Sequence, residues 1–273
     1  GDLLRLAVVR GGLMQSQPGR GAMAVVHADV DVVLGVVPRF AGVEVAAFNA
    51  PRSVTVSGPA QAVERFVAGS GLRARPLVVS HAFHSALMEG AVQPFAEAVA
   101  GAVLSAPRVA FASSVTGGWH TAQSAVDPGH WGRGVREPVR FGDAVGLLGG
   151  VGAGVVWEIG AQPQLTSSAR ASWRGEQQPL WLTTLRRERV DQREMHQALA
   201  AYADVVPGAI DWAGVHAGKG HRTMTLPTYP FNRKRYWVSP PPHTPGSAVP
   251  NHRQDLQDGQ HPHHPNERHQ HHG

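Results

Sequence analysis

The sequence predicts an α/β protein in which strands and helices alternate around a mostly parallel sheet, with a small ferredoxin-like βαββαβ unit inserted. Three observations carry this prediction. Valine-rich strand-like runs alternate with runs of helical periodicity along most of the chain. Between residues 21 and 80 the order reads strand, helix, strand, strand, helix, strand, the order of a split βαβ plait. Hydrophobic residues make up 42% of the 273 and charged residues 16%, enough apolar material to bury a core over one or two domains.

The elements follow in order. DLLRLAVVRGGLMQ has apolar residues at 3, 4, 6, 8, 9 and 13, a helical rhythm whose last turn is weakened by Gly11 and Gly12. GAMAVVHADV is a strand after a glycine-rich turn. VEVAAFN and SVTVSG are strands on either side of a turn at Ala50-Pro51-Arg52. PAQAVERFVAGS places Ala62, Val63, Phe66 and Val67 on one face, an amphipathic helix. ARPLVVS closes the plait as a strand. SALMEGAVQPFAEAVAGAVL is a helix that Pro94 kinks or divides. RVAFASSV reads as a strand, PVRFGDAVGLLGGVG as a helix from Pro138, and AGVVWEIG as a buried strand ending at Gly160. PQLTSSARAS and QREMHQALAAYADV are helices. TLPTYPFNRKRYWVSP is extended, because Pro227 and Pro230 exclude a helix. From Pro240 to Gly273, proline, histidine, glutamine, aspartate and asparagine dominate. This segment is expected to be a disordered tail, and it holds eight of the sixteen histidines. No internal repeat is present.

Composition excludes several functions. With no cysteine there is neither a disulfide framework nor a cysteine-based zinc site, and a reducing cytoplasm is permitted. No apolar run reaches the ~18 residues of a membrane span, and no secretory leader pattern is seen. The net charge of +5 comes almost wholly from scattered arginines, and the single cluster, Arg233-Lys234-Arg235, is short. Without a basic stripe carrying stacking aromatics, nucleic acid is not an expected partner. The histidine-rich tail offers metals no fixed geometry.

VVSHAFHSALM, residues 78–88, carries two histidines three apart between a β-rich run and an apolar helical run. His84 stands at a strand-to-helix junction, where Ser85 can cap the helix. An imidazole there can act as general base for a hydroxyl nucleophile. Spacing alone equally allows His81 and His84 to be polar loop residues. It also permits a metal pair, but no nearby acid or cysteine converges on it, so no metal is expected.

HAFHSALM resembles the active-site histidine segment of malonyl-type acyltransferase domains in modular type I polyketide synthases. AVVRGGLMQ with GRGAMAVV, VEVAAFNAPRSVTVSGPAQAVERF, REPVRFGDAV, VVWEIGAQPQL and LPTYPFNRKRYWVSP resemble the same family in the same order, over about residues 1–239. The resemblance implies a partial α/β-hydrolase-like large subdomain, residues 1–20 and 81–180. Residues 21–80 would then be the inserted ferredoxin-like small subdomain, 181–239 a post-acyltransferase linker, and 240–273 the tail.

The same resemblance implies the chemistry. A serine attacks the malonyl-CoA thioester, and the acyl ester passes to the phosphopantetheine thiol of an acyl carrier protein. No bound cofactor is implied, and the partners are the carrier protein and neighbouring synthase domains in the cytoplasm. His84 matches the histidine that takes the serine proton. Arg10 matches the arginine that grips the free malonyl carboxylate, a bidentate pairing suited to guanidinium. Phe83 and His81 belong to the HAFH sequence of malonyl-selecting domains, where YASH marks methylmalonyl. Phe83 would crowd a methyl branch at C2. Asn49 matches a residue near the acyl pocket. Arg140 matches the position whose backbone carbonyl orients the histidine ring.

One departure stands out. No G-x-S-x-G elbow occurs in the sequence, and in the family the nucleophile precedes the helix that carries Arg10. The chain is therefore expected to be a fragment without its nucleophile, inactive alone, with apolar faces left uncovered and poor solubility. The alternative is a catalytically dead interaction fragment that docks to synthase domains or to a carrier protein.

Overall fold

The computed structural model describes residues 1–220, 224–232 and 234. The chain divides into a unit spanning Gly1–Ala217 and the remainder from Gly218 onward. In that remainder the described residues 224–232 form neither helix nor strand, as the two prolines dictate, and Tyr229 and Phe231 meet edge to face at 5.1 Å. The predicted tail, 240–273, and the cluster at 233–235, apart from Lys234, lie outside the described residues.

The first unit opens with α1 (Asp2–Gln15), which runs through Gly11 and Gly12 without a break. Burial of Leu6 and Met14 on its inner face outweighs the glycine cost. Its outer face leaves Leu3, Leu4 and Val8 exposed. A four-stranded sheet follows, built from β1 (Gly21–Val26), β2 (Glu44–Ala50), β3 (Ser53–Pro59) and β4 (Ala74–Pro76). The order is β2-β3-β1-β4 and every neighbouring pair is antiparallel. α2 (Val30–Val36) and a 3₁₀ turn (Val37–Arg39) join β1 to β2, and α3 (Ala60–Gly69) joins β3 to β4. Ala24, Val26, Val54 and Val56 from the two central strands pack on Val33, Val63 and Phe66. β4 is an edge strand shorter than its apolar run; Pro76 sits where its nitrogen faces away from β1, and the Leu77 N–H just beyond it still donates to the Met23 carbonyl at 2.9 Å.

The rest of the unit is mainly helical. A 3₁₀ turn (Ala86–Met88) leads into α4 (Glu89–Ala100), followed by α5 (Ala122–Val126), α6 (Pro128–Arg136) and α7 (Phe141–Gly150). Leu6, Met88, Phe95, Val99 and Val135 form a second core where α1, α4 and α6 meet. α4 continues through Pro94, which is exposed, so solvent can satisfy the Gly90 carbonyl that loses its partner. Then come β5 (Val155–Glu158), α8 (Thr166–Ser172), β6 (Leu180–Thr183), α9 (Asp191–Val205) and α10 (Trp212–His216). β6 and α9 lie in the segment read as a linker, yet β6 pairs with β5 and Tyr202 of α9 meets Trp157 of β5 at 5.7 Å.

β5 and β6, joined through α8, pair in parallel, as expected for the α/β layer, and the four-stranded sheet of residues 21–76 is antiparallel, in the order of a βαββαβ plait. One expectation is corrected. RVAFASSV forms no strand. It bends back at Gly117, in the left-handed region at φ 71°, and makes only an isolated bridge between Ala112 and Trp119.

Rings fasten that bend. Phe111 stacks on His120 at 4.3 Å, and His120 stacks on Trp131 at 5.6 Å. His130 is 1% exposed and lies 3.2 Å from the Ser113 hydroxyl. Burial holds both imidazoles below the ordinary histidine range, aided at His130 by the charges of His120 and Arg133 and opposed by Asp127 and Glu137. The unfolded chain therefore binds protons that the folded chain refuses, so this stability is present above pH 6.5 and is lost as pH falls below it. The urea midpoint is expected to drop between pH 7.5 and pH 5.5, and to drop less in His130→Gln.

Candidate active site

His84 sits in a tight loop at the entrance to the helical half. Its φ is 57°, a left-handed conformation that costs a non-glycine residue about 1 kcal/mol or more and persists only where surroundings enforce it. Several contacts enforce it. The Ser85 hydroxyl donates to the Ala82 carbonyl at 2.7 Å and accepts from the Leu87 N–H at 3.3 Å, capping the 3₁₀ turn. At Gly21, the first residue of β1, a Cβ would fall 2.5 Å from the Ala82 Cβ, so only glycine lets the sheet approach this loop.

The His84 ring is oriented by the backbone. Its Nδ1 lies 2.9 Å from the carbonyl oxygen of Glu137. A carbonyl only accepts, so Nδ1 carries the proton and Nε2 keeps a lone pair. Burial holds the ring below the ordinary histidine range. The Glu137 bond opposes this, and the Arg10 charge adds to it.

The orienting carbonyl was expected at Arg140, and the structure corrects this to Glu137. Arg140 precedes α7, and its carbonyl accepts from the Ala144 N–H. Glu137 ends α6 and precedes Pro138, which forces extended backbone (ψ 155°) and turns the carbonyl outward. Val139 then bonds both ways with β2: its N–H donates to Ala46 and its carbonyl accepts from Phe48, each at 2.8 Å. The carbonyl that holds His84 is thus stitched to the sheet.

A cleft of about 580 Å³ opens in front of the ring, lined by Arg10, Gln15, Asn49, Phe83, His84 and Val139 among others. It brings together four of the residues singled out in the sequence. Arg10 is half-buried in the third turn of α1 and has no carboxylate partner among the described residues. Burial lowers its pKa, yet a guanidinium stays cationic. Asn49 donates from its amide to the Thr55 hydroxyl at 2.9 Å, which fixes its side chain. Phe83 forms an apolar wall beside His84.

Two of the expected residues do not line the cleft. His81 is 4% exposed and pairs with the Ser80 hydroxyl at 2.9 Å, and it meets the cleft only through Phe83, whose ring lies 6.0 Å away. The Arg140 guanidinium lies over the Phe48 ring at 5.6 Å and 3.7 Å from Asp143. Arg140 lines a different hollow with Phe48 and Ala50, while Asn49 faces the cleft, so Arg140 is on the far side of β2. Thr55 and Glu137 were not anticipated. The one sequence signal for Glu137 is the proline that follows it.

The arrangement offers a general base whose Nε2 keeps a lone pair, a cation without a counter-ion among the described residues, and apolar walls, which suits an acyl substrate bearing a negative charge. No group of three metal-ligating side chains converges among the described residues, and none of their helices is long and apolar enough to cross a membrane.

A family model described as the acyl transferase domain matches residues 1–206. The chain belongs to this family. Curated relatives of the acyl transferase domain include polyketide synthase GfsA of Streptomyces halstedii, 38% identical over 242 residues, with 87% of this chain and 3% of the relative covered. Another is the phenolphthiocerol synthesis polyketide synthase type I Pks15/1 of Mycobacterium marinum, 36% identical over 254 residues, with 91% and 12% covered. Among solved structures, the acyltransferase domain from the second module of the salinomycin polyketide synthase is 36% identical, with a TM-score of 0.72 over 84% of this chain and 54% of that one. The acyl transferase domain of SpnD, solved in complex with 2-(pent-4-yn-1-yl)malonyl, is 32% identical, with a TM-score of 0.65 over 73% and 49%. The acyl transferase domain described here thus spans about half the length of these solved relatives and a small fraction of the curated synthases.

Proposed function

We propose that this chain supplies the base, the carboxylate anchor and the selectivity wall of a malonyl-selecting polyketide synthase acyltransferase. The observation that carries the reading is the His84 ring, held with Nδ1 on the Glu137 carbonyl, in one cleft with Arg10, which has no carboxylate partner among the described residues. The intact domain would move malonyl from coenzyme A to a serine, and then to the phosphopantetheine thiol of an acyl carrier protein. His84 Nε2 would take the serine proton as the thioester carbonyl is attacked, and would return a proton to the departing thiolate. Arg10 would hold the far carboxylate, so that the carbonyl lies at the base. The substituted malonyl in the SpnD domain supports a dicarboxylic acyl group. The serine has no G-x-S-x-G counterpart in this sequence. The strand order of residues 21–76 supports reading them as a ferredoxin-like insert in an α/β-hydrolase-like domain. Neighbouring synthase domains would be its partners, in the cytoplasm.

The test is a chimera that places the N-terminal half of the salinomycin second-module domain ahead of Gly1. It is expected to form a covalent malonyl ester from malonyl-CoA, seen by intact mass, and to pass it to a carrier protein. A folded chimera that takes no dicarboxylic acyl group but still binds carrier protein would instead favour the interaction-fragment reading.

Selectivity gives a second readout. Phe83→Ser with His81→Tyr, made in the chimera, is expected to raise the methylmalonyl to malonyl ratio about tenfold, since one methyl in a pocket is worth about 1–3 kcal/mol. An unmoved ratio would leave Phe83 as packing only.

A further inference from the structure

We infer that Glu44 and Arg136 are positioning residues for His84, joined as a clamp across the hydrogen bond that orients its ring. The inference rests on His84 acting as the base, but its test needs no acyl transfer.

Glu44 is the first residue of β2. One carboxylate oxygen, Oε1, accepts from the Ala86 N–H at 3.2 Å, two residues after His84. The other, Oε2, lies 2.7 Å from Nη2 of Arg136, the residue before Glu137. The orienting bond joins the His84 ring to the Glu137 carbonyl. Glu44 therefore reaches both sides of that bond, the loop that carries the ring and the segment that carries the carbonyl. Its two contacts close a small circuit: Glu44, Ala86, His84, Glu137, Arg136 and back.

The circuit answers a physical need. His84 holds a left-handed backbone and would relax if its neighbours let it. A 2.9 Å bond to a carbonyl is lost with a shift of less than an ångström. The clamp is also sheltered: the Arg136 and Glu44 side chains are 27% and 34% exposed, so the pair is less screened than the surface pairs of this chain. Arg136 has a second acid nearby, with Nε 3.2 Å from Glu89 Oε2, but that nitrogen is not aligned to donate and Glu89 is 70% exposed. The Glu89 arm is the weak one.

The test reads the tautomer of His84 in the full chain, by ¹H–¹⁵N correlation of its ring nitrogens at pH 8. A merely stabilising ion pair would change the melting temperature and leave the tautomer alone. The wild-type chain is expected to show Nδ1 protonated and Nε2 bare, with a tautomer ratio about tenfold above that of a free imidazole, the worth of one hydrogen bond. Glu44→Ala and Arg136→Met are expected to lose that factor, and Glu89→Ala to keep it. Should Glu44→Ala fail to fold, Glu44→Gln decides. It keeps an acceptor for Ala86 but drops the charge facing Arg136, and it is expected to lose part of the factor. A folded Glu44 variant whose His84 tautomer equals wild type overturns the inference, as does a Glu89→Ala effect of equal size. A failure to acylate the chimera, by contrast, leaves the ring-nitrogen result untouched, so the two readings fail separately.

Discussion

His84→Ala in the chimeric domain is expected to cut malonyl transfer to a carrier protein by about 10²–10⁴-fold, the usual worth of a positioned general base. Malonyl-CoA binding should change little, because in the proposed arrangement the acyl carboxylate is held at Arg10 and not at the ring. The pH profile gives an independent check. The neutral ring is the base, so activity falls on the acid side as His84 protonates. Burial, with help from the Arg10 charge, holds its pKa below the ordinary 6.5 despite the Glu137 bond. The acid limb of kcat/KM is therefore expected below pH 6.5. A limb well above that value would mean that another group is titrating, or that the ring is solvated in the working domain.

Arg10→Ala is the second large effect. Losing a charge-assisted hydrogen-bond partner is worth about 1.5–3 kcal/mol, or roughly 10- to 150-fold. The malonyl carboxylate stays bound from ground state to transition state, so the loss should appear mostly in KM. Acetyl transfer has no such carboxylate and should hardly change, so the malonyl to acetyl preference should collapse by the same factor. The substitution also removes a positive charge that depresses the His84 pKa. The acid limb should therefore move up in pH in the same variant. An Arg10→Ala domain that keeps its malonyl preference would remove Arg10 from the anchor role.

What the sequence made legible follows from where information is local. The α3 stripe of Ala62, Val63 and Phe66 lies within one helix, and its burial follows from spacing alone. Ser85 as a cap is equally local, since its partners are Ala82 and Leu87. RVAFASSV has strand composition, but pairing is a long-range property, and this stretch found only one bridge. At the site, Arg10, Asn49, Phe83 and His84 are side chains in recognisable stretches, and the structure brings them to one cleft. The Glu137 carbonyl carries no side-chain signature, so resemblance placed the role three residues late, at Arg140. His81 shows the reverse error. Its place in the HAFH sequence implied, by resemblance, a role at the pocket, but its side chain is buried against Ser80 and does not line the cleft.

The left-handed backbone at His84 has a consequence for how such a sequence drifts. Glycine and asparagine fit that conformation better than histidine does, and neither can act as a base. On backbone strain alone a glycine or asparagine would fit better here, and only the ring's bond to the Glu137 carbonyl and use of the site stand against that replacement. In a lineage where the site falls silent, residue 84 is among the first places where the change should be visible, ahead of any change in the core.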